Sequence, residues 1–63
     1  MKRDWFFTFG SDHAHPHGYV KIHGTFNEAR ERMFQMYGPQ WCWQYESAED
    51  AGVYRYDLQE VTL

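Results

Sequence analysis

The chain has a single cysteine, Cys42, among its 63 residues. A lone cysteine forms no intrachain disulfide, which excludes a small disulfide-stapled secreted scaffold. The chain also lacks an apolar run near the ~18 residues of a membrane-spanning helix. It shows no basic segment followed by an apolar one of the kind that opens a signal peptide. We therefore expect a cytoplasmic protein that makes no membrane contact, with residues 1–63 forming one domain.

Basic residues and branched aliphatic residues are also scarce. Six Lys and Arg stand against nine Asp and Glu, for a net charge of −3. Nucleic-acid binding depends on clustered Lys and Arg, so the charge makes nucleic acid an unlikely main partner. Leu, Ile and Val together number six, whereas Phe, Trp and Tyr number 13. Because one helix covers one face of a sheet, we expect some rings to stay on a surface as a contact site.

The one long helical pattern covers residues 25–38. Apolar residues recur there at three- and four-residue intervals, as on one face of an amphipathic helix: Phe26, Ala29, Met33, Met36 and Tyr37. Thr25 and Glu28 have the spacing of a capping box. Gly38 suits the C-terminal cap, and Pro39 prevents continuation. We expect the sheet to pack on this helix.

Four segments alternate with the two-residue period of strands: 4–10, 19–23, 40–46 and 53–63. In the first, Trp5, Phe7 and Phe9 share one face and Phe6 lies on the other, which predicts a central strand. In the second, Val20 and Ile22 point inward, and a hairpin joins it to the first strand.

The third segment places Trp41, Trp43 and Tyr45 on one face and Cys42 and Gln44 on the other. Cys42 is then a small apolar filler rather than a nucleophile.

Residues 47–52 have a second capping-box spacing and end in glycine, which predicts one short helical turn. The last segment shifts phase towards Val61 and Leu63, and a bulge near residues 59–60 would account for the shift. The predicted fold is α+β: a small antiparallel sheet of about four strands packed on one helix. The order is β-β-α-β-β, with the short helical turn before the last strand.

The loop at residues 10–18 is rich in histidine and long for a hairpin, as binding loops often are. His13, His15 and His17 alternate through it, and His23 follows on the next strand. Imidazole is a common ligand for zinc, nickel or copper, so a metal site at these four residues is one interpretation. Structural zinc sites favour cysteine-containing sets, so we predict no essential metal. A ligand-contacting loop is the other interpretation.

Several strings resemble a family of small proteins encoded in bacteriophage and prophage genomes: WFFTFG (5–10), GYVKIHG (18–24), TFNEARERMFQMYG (25–38), WCWQY (41–45), EDAGV (49–53) and YDLQEV (56–61). The resemblance runs along nearly the whole chain. It implies a phage-encoded accessory protein acting inside an infected bacterium, and it brings no catalytic motif. The three loop histidines are not part of it.

Three functions stay open. The first is a counter-defence protein that binds and silences a host component, either a defence protein or a nucleotide-derived signal. The second is a structural or regulatory homodimeric phage protein. The third is a single-stranded nucleic-acid binder that stacks bases on an aromatic sheet face. The chain contains no Ser-His-Asp order, CxxC, HExxH, P-loop or dinucleotide fingerprint, so we predict neither an enzyme nor a cofactor.

Surplus aromatics, a short chain and no disulfide together predict a homodimer. Its expected interface rings are Trp5, Trp43, Tyr54 and Tyr56. The full set of predicted ligand- or partner-binding residues is Trp5, His13, His15, His17, Tyr19, Lys21, His23, Trp43, Tyr54, Arg55 and Tyr56.

Overall fold

The computed structural model describes residues 1–61. The elements follow the order β1 (Arg3–Thr8), β2 (Gly18–Gly24), α1 (Phe26–Tyr37), β3 (Trp43–Tyr45), α2 (Ala48–Ala51) and β4 (Gln59–Glu60). The strands form one four-stranded sheet in the order β3-β1-β2-β4. The α+β class, the element order and the central position of β1 are confirmed.

The sheet is mixed rather than antiparallel. β1 pairs antiparallel with both β2 and β3, but β4 pairs parallel with β2. β3 and β4 therefore run in the same direction at opposite edges of the sheet. Two strands that run in the same direction cannot be joined by a hairpin and need a crossover connection. Here α2 and the turn that follows it form that crossover. The prediction of an antiparallel sheet is wrong at the β4 edge for this reason.

The predicted strand at residues 53–63 is mostly a turn. Tyr56 N–H donates to the Gly52 carbonyl and Leu58 N–H to the Val53 carbonyl, both at 2.9 Å, so these groups do not pair with a strand. Asp57 adopts a positive φ of 52° within the turn. Residues 59–60, where a bulge was expected, are the strand itself. The expectation for Leu63 lies outside the described residues.

The core lies between α1 and one face of the sheet. Phe7, Val20 and Met33 are fully buried, and Ala29 is buried beside them. The partly buried Ile22, Met36, Tyr37 and Val61 pack against this cluster. The predicted helix face is therefore confirmed at Ala29 and Met33. Phe26 is only partly packed: its ring meets Trp5 edge-to-face, but 45% of the residue is exposed.

Both ends of α1 form as the sequence predicts. Glu28 N–H donates to Thr25 Oγ1 at 3.1 Å, and Thr25 N–H donates to Glu28 Oε1 at 2.9 Å. At the other end Gly38 has φ 58°, and its N–H donates to the Phe34 carbonyl at 3.0 Å. Glycine takes this backbone conformation without a Cβ penalty.

The phase of the aromatic residues before β3 differs from the prediction. Cys42 N–H donates to the Thr8 carbonyl at 2.7 Å, although Thr8 is the register partner of Trp43. Cys42 and Trp43 thus both lie opposite Thr8, as in a β-bulge, and the alternation of side chains breaks between Trp41 and Trp43. Trp41 turns into the core, Trp43 is 63% exposed and Gln44 is buried. Cys42 is exposed, so its prediction as an apolar filler is wrong.

The sheet face opposite α1 is partly covered by α2 and the turn after it. Ala51 and Val53 are buried but do not belong to the core beneath α1, and α2 contacts β1 and β3. Ser47 caps α2 by accepting from Asp50 N–H at 3.1 Å, which confirms the short helical turn. The Tyr56 ring lies so close to Gly52 that a Cβ there would meet Tyr56 Cδ2 at 2.6 Å.

We predict that Met33→Ala lowers the free energy of unfolding by about 2–5 kcal/mol, since it removes a fully buried side chain from a packed core. Urea denaturation followed by circular dichroism measures this loss. Gln35→Ala on the exposed side of α1 is the matched control and should change stability by less than about 0.5 kcal/mol. Equal losses for the two variants would contradict this account of the core.

The capping box gives stability a dependence on pH. The hydrogen bond from Thr25 N–H to the Glu28 carboxylate lowers the pKa of Glu28 below the ordinary 4.5. The stabilisation of the fold by the ionised Glu28 carboxylate is therefore present above pH 4.5, and it is lost as the pH falls through the lower pKa of the folded state. We expect the stability difference between wild type and Glu28→Ala to shrink on acidification. Denaturation at pH 7 and pH 3 checks it, and the difference between wild type and Glu31→Ala should show no such trend.

Candidate functional site

The predicted site residues do not meet in one place. The β1–β2 register puts Tyr19, Lys21 and His23 opposite Thr8, Phe6 and Asp4, on the face turned away from α1. Trp43 lies at the other edge of that face, opposite Thr8 on the β3 side. Tyr54, Arg55 and Tyr56 follow α2 in the exposed turn.

Trp5 is a core residue, which corrects its prediction as an interface ring. Its side chain is 8% exposed, and its Nε1–H donates to the Gly24 carbonyl at 3.0 Å. The ring also meets Phe26 edge-to-face with centroids 5.2 Å apart. Trp5 shares its strand face with Phe7 and Phe9, and α1 covers that face. It is thus removed from the candidate binding residues and from the dimer interface.

The histidines have separate surroundings. His13 Nδ1 accepts a hydrogen bond from Gly10 N–H at 2.6 Å, which ties down the start of the loop. His15 packs edge-to-face against Phe9 and Tyr37. His23 Nδ1 lies 2.9 Å from Asp4 Oδ1. Within residues 1–61 no three His, Cys, Asp or Glu side chains are grouped so that they could hold a metal ion. The structure therefore does not assemble His13, His15, His17 and His23 into the alternative metal site.

A cleft of about 360 Å³ lies beside the histidine loop. Its lining comes from the loop and from the β4 region: Ala14, His15, Pro16, His17, Gly18, Gln59, Glu60 and Val61. The cleft gives the histidine loop a concave surface, and ligand contact by this loop stays a prediction. Its lining contains one charged side chain, Glu60, and the His15 ring is already engaged with two aromatic neighbours.

Tyr19 borders this region and titrates above its ordinary range. Partial burial and the neighbouring Glu60 carboxylate raise the pKa of the Tyr19 phenol above 10, and the nearby Lys21 ammonium opposes this effect less strongly. The phenol therefore stays protonated at neutral pH. Tyr19 can donate a hydrogen bond there but cannot serve as a phenolate nucleophile.

A second concave surface of about 230 Å³ lies between α1 and the β3 edge of the sheet, and we call it the α1–β3 groove. Its lining residues are Arg30, Phe34, Pro39, Trp41, Cys42 and Trp43. Phe34 is 47% exposed, and Trp43, which the register places on the other face of the β3 edge, is 63% exposed, so large rings meet solvent on both sides of this edge. Phe34 also meets the buried Trp41 edge-to-face at 5.4 Å.

Arg30 carries the charge of the α1–β3 groove. Its guanidinium carbon lies 5.1 Å from the Trp41 ring centroid and 5.5 Å from that of Phe34. The two ion pairs found within residues 1–61 join Arg3 to Glu46 and His23 to Asp4, and neither includes Arg30. Two aromatic faces thus hold a cation whose hydrogen-bonding edge has no carboxylate partner in the described chain.

Two buried polar atoms lie at the same junction without hydrogen-bond partners in the described residues: Trp41 Nε1 and Gln44 Oε1. Gln44 uses its Nε2 to donate to the Phe26 carbonyl at 3.0 Å, which joins β3 to the start of α1. An unpaired buried polar atom costs about 1–3 kcal/mol. Local violations of this kind are more frequent at functional sites than elsewhere.

The sequence pattern did not lead us to expect Phe34 or Trp41 in the site. A signal for Phe34 was present, since Phe26, Arg30 and Phe34 recur every four residues as a second stripe beside the core stripe. The position of Trp41 followed from the break in alternation before β3, which nothing in the sequence pattern marked.

Comparison with known proteins found no matching family model, no matching curated protein and no matching solved structure. The resemblance to phage-encoded proteins therefore stays a prediction. Among the helices of residues 1–61, none has the length and apolar character needed to cross a membrane.

We predict that EDTA leaves the melting temperature unchanged, because His13 and His23 already have partners within the chain and His15 is packed between rings. Thermal unfolding with and without the chelator measures this. A structural metal contributes directly to folding free energy, so a fall of about ten degrees or more would contradict the prediction.

Proposed function

We propose that this chain is a non-enzymatic binding protein that docks on another protein through the α1–β3 groove. The observation that supports the proposal best is the combination of two exposed rings, Phe34 and Trp43, with Arg30, which lies between two aromatic faces and has no carboxylate partner within residues 1–61. Aromatic residues and arginine are the side chains that dominate protein–protein interface energetics.

The proposed setting is an infected bacterial cell. There the chain is a phage-type accessory protein that silences a host defence component in the cytoplasm by covering part of its surface. The resemblance of its sequence strings to phage-encoded proteins supports this setting. Inhibition by occlusion needs a contact surface and no catalytic residues, and the α1–β3 groove offers such a surface.

The α1–β3 groove favours a defence protein over a nucleotide-derived signal as the target. A nucleotide would call for several cations close together to meet its phosphates. Arg30 is stacked on rings at one edge of the sheet, whereas Lys21 lies on β2 and Arg55 in the turn after α2. These three cations thus lie on separate elements, and the aromatic surface is better suited to apolar side chains.

Phage plating tests the proposal. The chain is expressed in a panel of bacterial strains, each carrying one defence system, and the plating efficiency of a sensitive phage is counted. We expect the wild-type chain to restore plating on at least one strain. Phe34→Ala and Trp43→Ala should each reduce the rescue at least about tenfold, since loss of one central ring costs more than about 1 kcal/mol of binding.

Tyr54→Ala is the matched control, because Tyr54 is 77% exposed but lies outside the α1–β3 groove. It should rescue plating as the wild type does. Circular dichroism and immunoblotting confirm that all variants fold and accumulate. Full rescue by folded Phe34→Ala and Trp43→Ala would refute the assigned surface, and rescue on no strain would refute the counter-defence role.

A further inference from the structure

The two exposed rings alone do not supply enough binding energy. Covering Phe34 and Trp43 removes on the order of 250 Å² of apolar surface, given ring areas of roughly 150–250 Å² each. A stable protein–protein interface covers roughly 1,200–2,000 Å² in total, so a complex needs further contacts beside the rings.

The edge of the sheet beside the groove offers such contacts. β3 is the outermost strand, and its outer side pairs with no strand of residues 1–61. An edge strand presents N–H and C=O groups that an extended segment can pair with, which is the basis of β-strand addition. A strand added there would place alternate side chains on the two faces of the sheet. One set would enter the α1–β3 groove, and the other would pass the Trp43 ring.

Arg30 specifies the charge of the incoming segment. It lies within the groove, so side chains of the added strand that face α1 come closest to it. A guanidinium recognises a carboxylate through paired hydrogen bonds. The net charge of −3 disfavours an acidic partner at long range. The field of the net charge is screened beyond about 8 Å at physiological salt. The close pair of Arg30 and a carboxylate therefore decides which charge the partner segment carries.

A second copy of the chain meets this requirement poorly. Its own edge strand carries Trp43, Gln44 and Tyr45, none of which is acidic. The next residue, Glu46, already lies 3.4 Å from Arg3. Self-pairing through β3 would therefore leave Arg30 without a carboxylate from the added strand, and a different protein fits the groove better.

We infer that the partner adds an extended segment to the free edge of β3, with an acidic side chain two residues from a large apolar one. The carboxylate pairs with Arg30, and the apolar side chain packs against Phe34. This inference rests on the proposed function and specifies the chemistry of its partner.

Peptide display tests the inference. A random decapeptide library is selected against the immobilised full chain, and the enriched peptides are sequenced. We expect Asp or Glu two positions from an aromatic or large aliphatic residue. Selection against Arg30→Glu should replace the acidic residue by Lys or Arg. Arg32→Glu is the matched control, since Arg32 is an exposed arginine on the same helix outside the α1–β3 groove, and its selected profile should equal that of the wild type.

Hydrogen exchange tests the mode of binding. An enriched peptide should slow amide exchange in residues 43–45 and leave β4 unchanged, and Phe34→Ala should weaken its binding at least tenfold. Arg30→Gln, with its fold checked by circular dichroism, should weaken binding of the same peptide if Arg30→Glu fails to fold.

Three results would overturn the inference. One is a selected pool without acidic enrichment, or no enriched peptide at all. Another is an identical profile for wild type and Arg30→Glu. The third is a stable dimer by sedimentation that Trp43→Asp converts to monomer, which would assign the groove to a second copy. Loss of plating rescue in Phe34→Ala alongside either of the first two results would leave the proposed function standing while this inference fails, whereas the dimer would overturn both.

Discussion

The packing of Met33 and Ala29 against Phe7 and Val20 is the contact on which the rest of the structure depends. All four residues are completely removed from solvent. In a chain this short, which buries only about 60% of its unfolded surface, few other side chains can supply comparable burial. The contact selects which face of the sheet α1 covers and how far the helix extends towards the β3 edge. Phe34 remains exposed at that edge, and Trp43 remains exposed on the other face of β3.

Much of the fold could be predicted from the sequence wherever the signal was local. The capping box at Thr25, the N-cap at Ser47, the core positions Ala29 and Met33, and the shared face of β1 all follow from spacing within a few residues. The mixed sheet did not follow, because the parallel pairing of β4 with β2 depends on a crossover between distant parts of the chain. Propensity and alternation carry no information about which edge a final strand joins.

The candidate site was harder to predict than the fold. Exposed aromatic residues were expected, and Trp43, Tyr54 and Tyr56 are exposed. Trp5 was misassigned because a ring on an alternating strand looks the same in sequence whether a helix covers its face or not. Trp41 and Gln44 were expected on opposite faces, but both are buried because one extra residue opposite Thr8 breaks the alternation. A slip of one residue moves every side chain to the other face, so such errors affect whole segments.

The parallel pairing at the β4 edge also has a consequence for the order of folding. Gly18 and Gln59, which pair with each other, are far apart in the sequence, whereas β1 and β2 are joined by one loop. Closing a longer loop costs more chain entropy, and two exposed residues return little energy for it. The hairpin and α1 can therefore assemble first, with β4 docking afterwards on a sheet already formed. The cleft beside the histidine loop, which β4 completes, then forms only when β4 docks. The α1–β3 groove has no lining residue from β4 and does not depend on that step.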